Sequence, residues 1–202
     1  MNLYAKLQAE AAAGRPVRVG LIGAGKFGSM FLAQVPSTPG LVVTAIGDLD
    51  PERARGACRA VGWDDARIAA TAFVEDGAAL AARDDVDVVI EATGNPLAGV
   101  VHALAAIDAG RHIVMVNVEA DVLCGPALAA RAAAAGTVYS MAYGDQPALV
   151  AELVDWARAT GFAVQAAGKG TKYLPAYHQV TPEGVWAHYG LTAAEAKAAV
   201  RP

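Results

Sequence analysis

Apolar and polar positions along this chain fall into two kinds of block. Short runs rich in Val, Ile, Leu and Ala occupy residues 17–22, 41–46, 86–90, 112–118 and 137–142, and they predict strands. The run at 86–90 is built almost wholly from Val and Ile, the composition of a strand buried on both faces. A weaker strand is expected around 68–73 and a further one at 163–167. Between them lie longer stretches of helix formers at 3–13, 26–35, 51–61, 78–82, 97–109, 126–135 and 147–160. Their ends carry the expected punctuation: Gly14, Pro36, Gly110, Gly136 and Gly161 stop helices, while Pro51 starts one at its first turn.

Regular alternation of strand and helix specifies a parallel sheet with right-handed crossovers. The fold class expected is therefore α/β, a doubly wound parallel sheet of the Rossmann, dinucleotide-binding kind. The chain shows no internal repeat, low-complexity tract or run of like charge.

Composition narrows the function classes. A chain of 202 residues with 55% hydrophobic and 18% charged side chains is globular rather than disordered. A net charge of −4 leaves no basic footprint for nucleic acid. The uncharged stretch 28–47 is interrupted by Pro36, Pro39 and Gly40, so it is not a membrane helix of about 20 residues. Lys6 and Glu10 stand where a signal peptide needs an apolar core. A soluble, cytoplasmic protein without nucleic-acid or membrane partners is expected, with Cys58 and Cys124 as reduced thiols.

The candidate chemistry starts at GLIGAGKFGSM, residues 20–30. A glycine triad of this spacing says little alone, but here it sits between a strand and a helix. Gly23 allows the tight turn, Gly25 lets the backbone approach a pyrophosphate, and Gly28 lets the helix pack on the strand. The helix start, with Lys26 and Phe27, offers free N–H groups and a partial positive charge to phosphates. Asp48 ends the second strand about 20 residues on, where a carboxylate accepts hydrogen bonds from the adenosine ribose. Asp48 would repel a 2′-phosphate, whereas Arg53 and Arg55 are either its ligands or solvated helix residues. The cofactor expected is NAD(P), with NADPH favoured.

Further candidates stand at the same sheet edge. Thr93, Gly94 and Asn95, in EATGNP, either line the path to the nicotinamide or cap the next helix, or both. The fifth strand ends in VNVEAD, bringing Asn117, Glu119 and Asp121 there as site-lining groups or as a capped loop. In GDQP, Asp145 or Gln146 is read as a cap for the helix begun by Pro147. Lys169 and Lys172, in GKGTKY, are either a grip for a phosphate or carboxylate or solvated surface lysines. His178 is either an acid–base group or structural.

The segment from the glycine loop through EATGNP resembles the NAD(P)-binding domain of homoserine dehydrogenases. The combination GLIGAGKFGSMFLAQ, EATGNP, NVEADVLCGP, YGDQP and GKGTKYLPAYHQVTPEGVWAHYGLT resembles the reductoisomerase-like oxidoreductases of bacteria. Some members of that group are similar in function to 1-deoxy-D-xylulose 5-phosphate reductoisomerase of isoprenoid precursor synthesis. One departure counts against homoserine as substrate: Asn117 matches the family's Asn-Lys pair, but Val118 stands where the Lys would be.

The resemblance implies an amino-terminal helix at 1–16, an NAD(P)-binding domain at 17–145, and the start of a truncated catalytic and oligomerisation region at 146–202. It implies hydride transfer to or from a small polar, anionic carbonyl or hydroxyl substrate, in a longer enzyme that forms a homo-oligomer. Lys169 and Lys172 are expected to anchor the anion, and Glu119 to line the site or help hold a divalent metal if one is used. A non-catalytic NAD(P)-binding module and a homoserine dehydrogenase are the alternatives.

Overall fold

In the computed structural model, residues 2–144, 146–168, 192, 194 and 195 are described. An amino-terminal helix α1 (Leu3–Ala12) precedes the sheet, with the side chain of Asn2 accepting a hydrogen bond from Ala5 N–H. Six strands follow: β1 (Val17–Ile22), β2 (Leu41–Gly47), β3 (Ala72–Val74), β4 (Val88–Glu91), β5 (His112–Met115) and β6 (Tyr139–Met141). They form one sheet in the order β3-β2-β1-β4-β5-β6, and every neighbouring pair is parallel. This is the doubly wound order, and the chain reverses direction across the sheet between β1 and β4.

Helices cover both faces. They are α2 (Lys26–Gln34), α3 (Pro51–Ala60), α4 (Asp65–Ala69), α5 (Gly77–Ala81), α6 (Pro96–Asp108), α7 (Val118–Ala134) and α8 (Gln146–Ala159), with a 3-10 turn at Val35–Ser37. Their capping follows elementary rules. Asp50, Asp64, Asp76, Asn95 and Asn117 each stand at an N-cap and accept a hydrogen bond from an N–H of the first turn. Two cores result, one per face. Leu21, Leu32, Ile46 and Trp63 anchor one, and Leu80, Val89, Ile107 and Met115 the other. Trp63 Nε1 donates to the Leu32 carbonyl at 2.8 Å, answering one of the last four carbonyls of α2, which have no partner inside the helix.

Four expectations need correction. Residues 163–167 form no strand. The segment is Ala-rich and largely exposed, has no strand beside it among the described residues, and Ala is a poor strand former. The strand expected at 112–118 ends at Met115, because Asn117 caps α7 and its Oδ1 accepts from Ala120 N–H at 3.1 Å. Pro126 therefore lies inside α7 rather than at its start. The helix absorbs the missing N–H because its face bearing Ala120, Leu128 and Ala132 is buried. Ile68 belongs to α4, leaving only Ala72–Val74 in β3.

Candidate functional site

A cleft of about 820 Å³ opens at the carboxyl ends of β1, β2 and β4, lined by Gly23, Gly25, Asp48, Arg53, Thr93, Asn95 and His102 among others. It lies at the switch point, where open α/β sheets bind their ligands. The glycine loop forms its floor. Gly23 has φ +98°, and a Cβ there would stand 2.7 Å from the Ala92 carbonyl oxygen. Only glycine allows both that conformation and that close backbone approach. A Cβ on Gly28 would run into the Gly23 carbonyl oxygen, so this position welds α2 to the loop.

Gly25 behaves differently. A Cβ built there meets nothing within 4 Å, so its bareness serves no contact inside the chain. It borders the cleft and caps α2. Ser29 N–H bonds to the Gly25 carbonyl at 2.8 Å, which leaves the amides of Lys26, Phe27 and Gly28 ahead of the helix ladder. The Lys26 and Phe27 side chains are exposed. The concave backbone at Gly25, together with these leading amides, fits a pyrophosphate.

Asp48 is buried at the end of β2. Its carboxylate accepts from Ala24 N–H and Asp50 N–H, each at 3.0 Å, and from Arg53 Nη2 at 2.6 and 2.8 Å. Burial presses the Asp48 carboxyl toward its neutral form. The hydrogen bonds from Arg53 and the two amides outweigh that and hold it below the ordinary carboxylate range. Arg53 itself is 60% exposed and borders the cleft. Arg55 does not border it: its guanidinium lies 4.1 Å from the Phe73 ring centroid and pairs with Glu52.

On the opposite side, Thr93 and Asn95 line the cleft, with Gly94 exposed between them at φ +72°. Asn117 is buried behind this turn and holds it, donating from Nδ2 to the Asn95 carbonyl at 2.8 Å. Glu119 is exposed on the first turn of α7. No group of three potential metal ligands occurs among the described residues, so Glu119 and its described neighbours do not make a metal site by themselves. Asp121 accepts a hydrogen bond from the Tyr139 hydroxyl at 2.8 Å, and burial together with that bond pushes the phenol above its ordinary value. Asp145, Lys169, Lys172 and His178 lie outside the described residues.

Two residues, one lining the cleft and one buried behind its wall, carried little signal in the sequence. Glu91 is the sole charged residue of β4, and it is fully buried. His102 lines the cleft from α6, whose other residues near it are apolar, so nothing but its polarity marked it.

A glycine-floored cleft at the switch point, with an acid at the end of β2, defines a nicotinamide-dinucleotide-binding domain. The comparisons agree. Residues 17–116 match the family described as "Oxidoreductase family, NAD-binding Rossmann fold", and residues 144–201 match "Oxidoreductase DRL, catalytic domain". These matches support an NAD-binding oxidoreductase domain in this chain. It is 33% identical over 112 residues to homoserine dehydrogenase of Neisseria gonorrhoeae, covering 51% of this chain and 23% of that protein. It is similar in structure to a 3-ketoreductase of Actinomadura kijaniata in complex with TDP-benzene and NADP. That match has a TM-score of 0.52 and 25% identity, covering 70% of this chain and 42% of the other. Myo-inositol dehydrogenase of Lactobacillus casei, in complex with NAD(H) and myo-inositol, shares the fold at TM-score 0.50 and 22% identity. The covered shares are again 70% and 42%. The chain thus spans less than half the length of these relatives. Among the described residues, no helix is long and apolar enough to cross a membrane.

Proposed function

We propose that this chain is the nucleotide-binding portion of an oxidoreductase acting on a small, polar, anionic carbonyl or hydroxyl substrate. When bound, the nicotinamide supplies or takes up the hydride. The chain's own residues bind and orient: the leading amides of α2 hold the pyrophosphate, Asp48 and Arg53 face the adenosine ribose, and the Thr93–Asn95 turn borders the nicotinamide half. The single observation that carries this reading is the space kept open at Gly25, which no contact within the chain explains.

The finer reading is an NADPH-dependent reductoisomerase of the 1-deoxy-D-xylulose 5-phosphate type, in which a sugar phosphate rearranges and is then reduced. Support comes from the DRL catalytic-domain match and from Arg53. Both Asp48 oxygens are already engaged by amides and Arg53, so a ribose hydroxyl must compete for them. The exposed guanidinium of Arg53 is placed to take a 2′-phosphate with paired donors. Lys169 and Lys172 anchor the anionic end of the substrate, Glu119 borders the reacting groups, and the longer protein is a homo-oligomer. The likeness to homoserine dehydrogenase favours a second reading, but Val118 opens α7 in place of a lysine.

Titrating the chain with NADPH and NADH while following tryptophan fluorescence tests the reading. Saturable binding is expected, tighter for NADPH. The absence of saturation with both nucleotides would remove the basis for it, and equal affinity would remove the part assigned to Arg53.

A further inference from the structure

Behind the wall of the cleft, under Thr93 and His102, lies a buried carboxyl group that the cofactor contacts do not use. Glu91 ends β4 with its side chain fully buried. Its Oε1 accepts from the Thr93 hydroxyl at 2.6 Å and from Thr93 N–H at 3.3 Å. His102 Nδ1 lies 3.2 Å from the same oxygen and donates to it in the tautomer that carries the proton on Nδ1. Oε2 is buried with no hydrogen-bond partner among the described residues.

Burying a carboxyl group is costly unless hydrogen bonds satisfy it, and here those bonds come from Thr93 in the turn after β4 and from His102 on α6. The Thr93 hydroxyl, fixed by Glu91, accepts from Asn95 N–H at 3.3 Å and from Asn117 Nδ2 at 3.4 Å. The turn in its place packs backbone to backbone on the glycine loop, since a Cβ at Gly23 would stand 3.1 Å from Thr93 N. Gly99 leaves the room: a Cβ there would sit 2.7 Å from Asn117 Nδ2 and 3.2 Å from Glu91 Oε2.

We infer that Glu91 is a positioning residue for the nicotinamide half of the dinucleotide. It acts through Thr93, with His102 tying α6 to the strand end and completing the wall of the cleft. The inference rests on the cofactor reading above and deepens it. Adenosine contacts belong to the β1–β2 side, whereas the turn after β4 borders the other half. Disturbing Glu91 or Thr93 should therefore weaken the whole dinucleotide and spare its adenosine half.

The test compares dissociation constants for NADPH and for adenosine 2′,5′-bisphosphate, or for NADH and AMP if the wild-type chain prefers NADH. Thr93→Val keeps the shape and removes the hydroxyl. It is expected to weaken the dinucleotide about fivefold, the scale of one uncharged hydrogen bond, and to leave the half-ligand unchanged. Glu91→Leu should do the same, and Glu91→Gln, which retains an acceptor for Thr93, should restore most of the affinity. Should Glu91→Leu fail to fold on thermal melting, Thr93→Val still decides. Parallel loss of both ligands in Thr93→Val marks a merely structural role and overturns the inference. Unchanged dinucleotide affinity overturns it as well. A wild-type chain that binds no dinucleotide defeats the cofactor reading first, whatever it does with the half-ligand; the inference alone fails when the wild type binds the dinucleotide and Thr93→Val either changes nothing or weakens both ligands alike.

Discussion

Gly25 and Gly28 share one loop but carry opposite loads, and alanine at each separates binding from folding. At Gly28 the added Cβ meets the Gly23 carbonyl oxygen, a backbone atom that cannot rotate away. Overpacking of this kind costs about 1–3 kcal/mol. The gain in helix propensity from Gly to Ala returns about 1 kcal/mol. Because the obstruction is backbone, the cost should take the upper end, leaving a net loss of about 2 kcal/mol. For a chain of this size that corresponds to a fall in Tm of about 4–8 °C. At Gly25 the Cβ meets nothing, so folding loses only the preference for glycine over alanine at an N-cap, below about 1 kcal/mol. The methyl group would, however, stand where the pyrophosphate must approach. Gly25→Ala should weaken NADPH at least about tenfold, equivalent to about 1.4 kcal/mol. Thermal melting followed by nucleotide titration reads both quantities. The reasoning is refuted if Gly25→Ala binds as tightly as wild type, or if Gly28→Ala melts unchanged.

Other outcomes follow from individual contacts. Asp48 titrates below its unfolded value, so its contribution to stability is complete above the ordinary carboxylate pKa and disappears as pH falls through the folded one. Tm measured downward from about pH 5 should fall less steeply in Asp48→Asn than in wild type, and parallel curves would contradict this. Trp63→Phe orphans the Leu32 carbonyl and should cost about 1–3 kcal/mol, lowering Tm by several degrees with nucleotide affinity unchanged. Burial pushes the Cys58 thiol up to about 11, whereas Cys124 is half-buried. At pH 8 an aromatic disulfide reagent should titrate one thiol in the native chain and two in denaturant; rapid reaction of both would show that Cys58 is not enclosed.

Much of this fold was legible because its signals are local. The apolar runs of β1, β2 and β4 are long enough to read without tertiary help, and the glycine loop announces the turn between β1 and α2. The errors arose where distant partners decide. Pro126 reads as a helix start, but Asn117 caps the chain nine residues earlier and packing carries the helix through the proline. Residues 163–167 read as a strand from composition, yet a strand exists only by pairing. The site shows the same division. Gly23, Gly25, Gly28 and Asp48 are recognisable by spacing, whereas Glu91 and His102 stand eleven residues apart and meet only because α6 folds back over β4. Arg53 and Arg55 look alike in DPERAR; the structure sends one to the cleft edge and the other onto Phe73.

A crystal structure of the chain with NADPH examines the account most directly. The pyrophosphate oxygens are expected within hydrogen-bonding reach of the amides that lead α2, beside Gly25, with the adenosine toward Asp48 and Arg53 and the nicotinamide beyond the Thr93 turn. A dinucleotide bound elsewhere on the chain, or reversed so that its nicotinamide lies on Asp48, would contradict it.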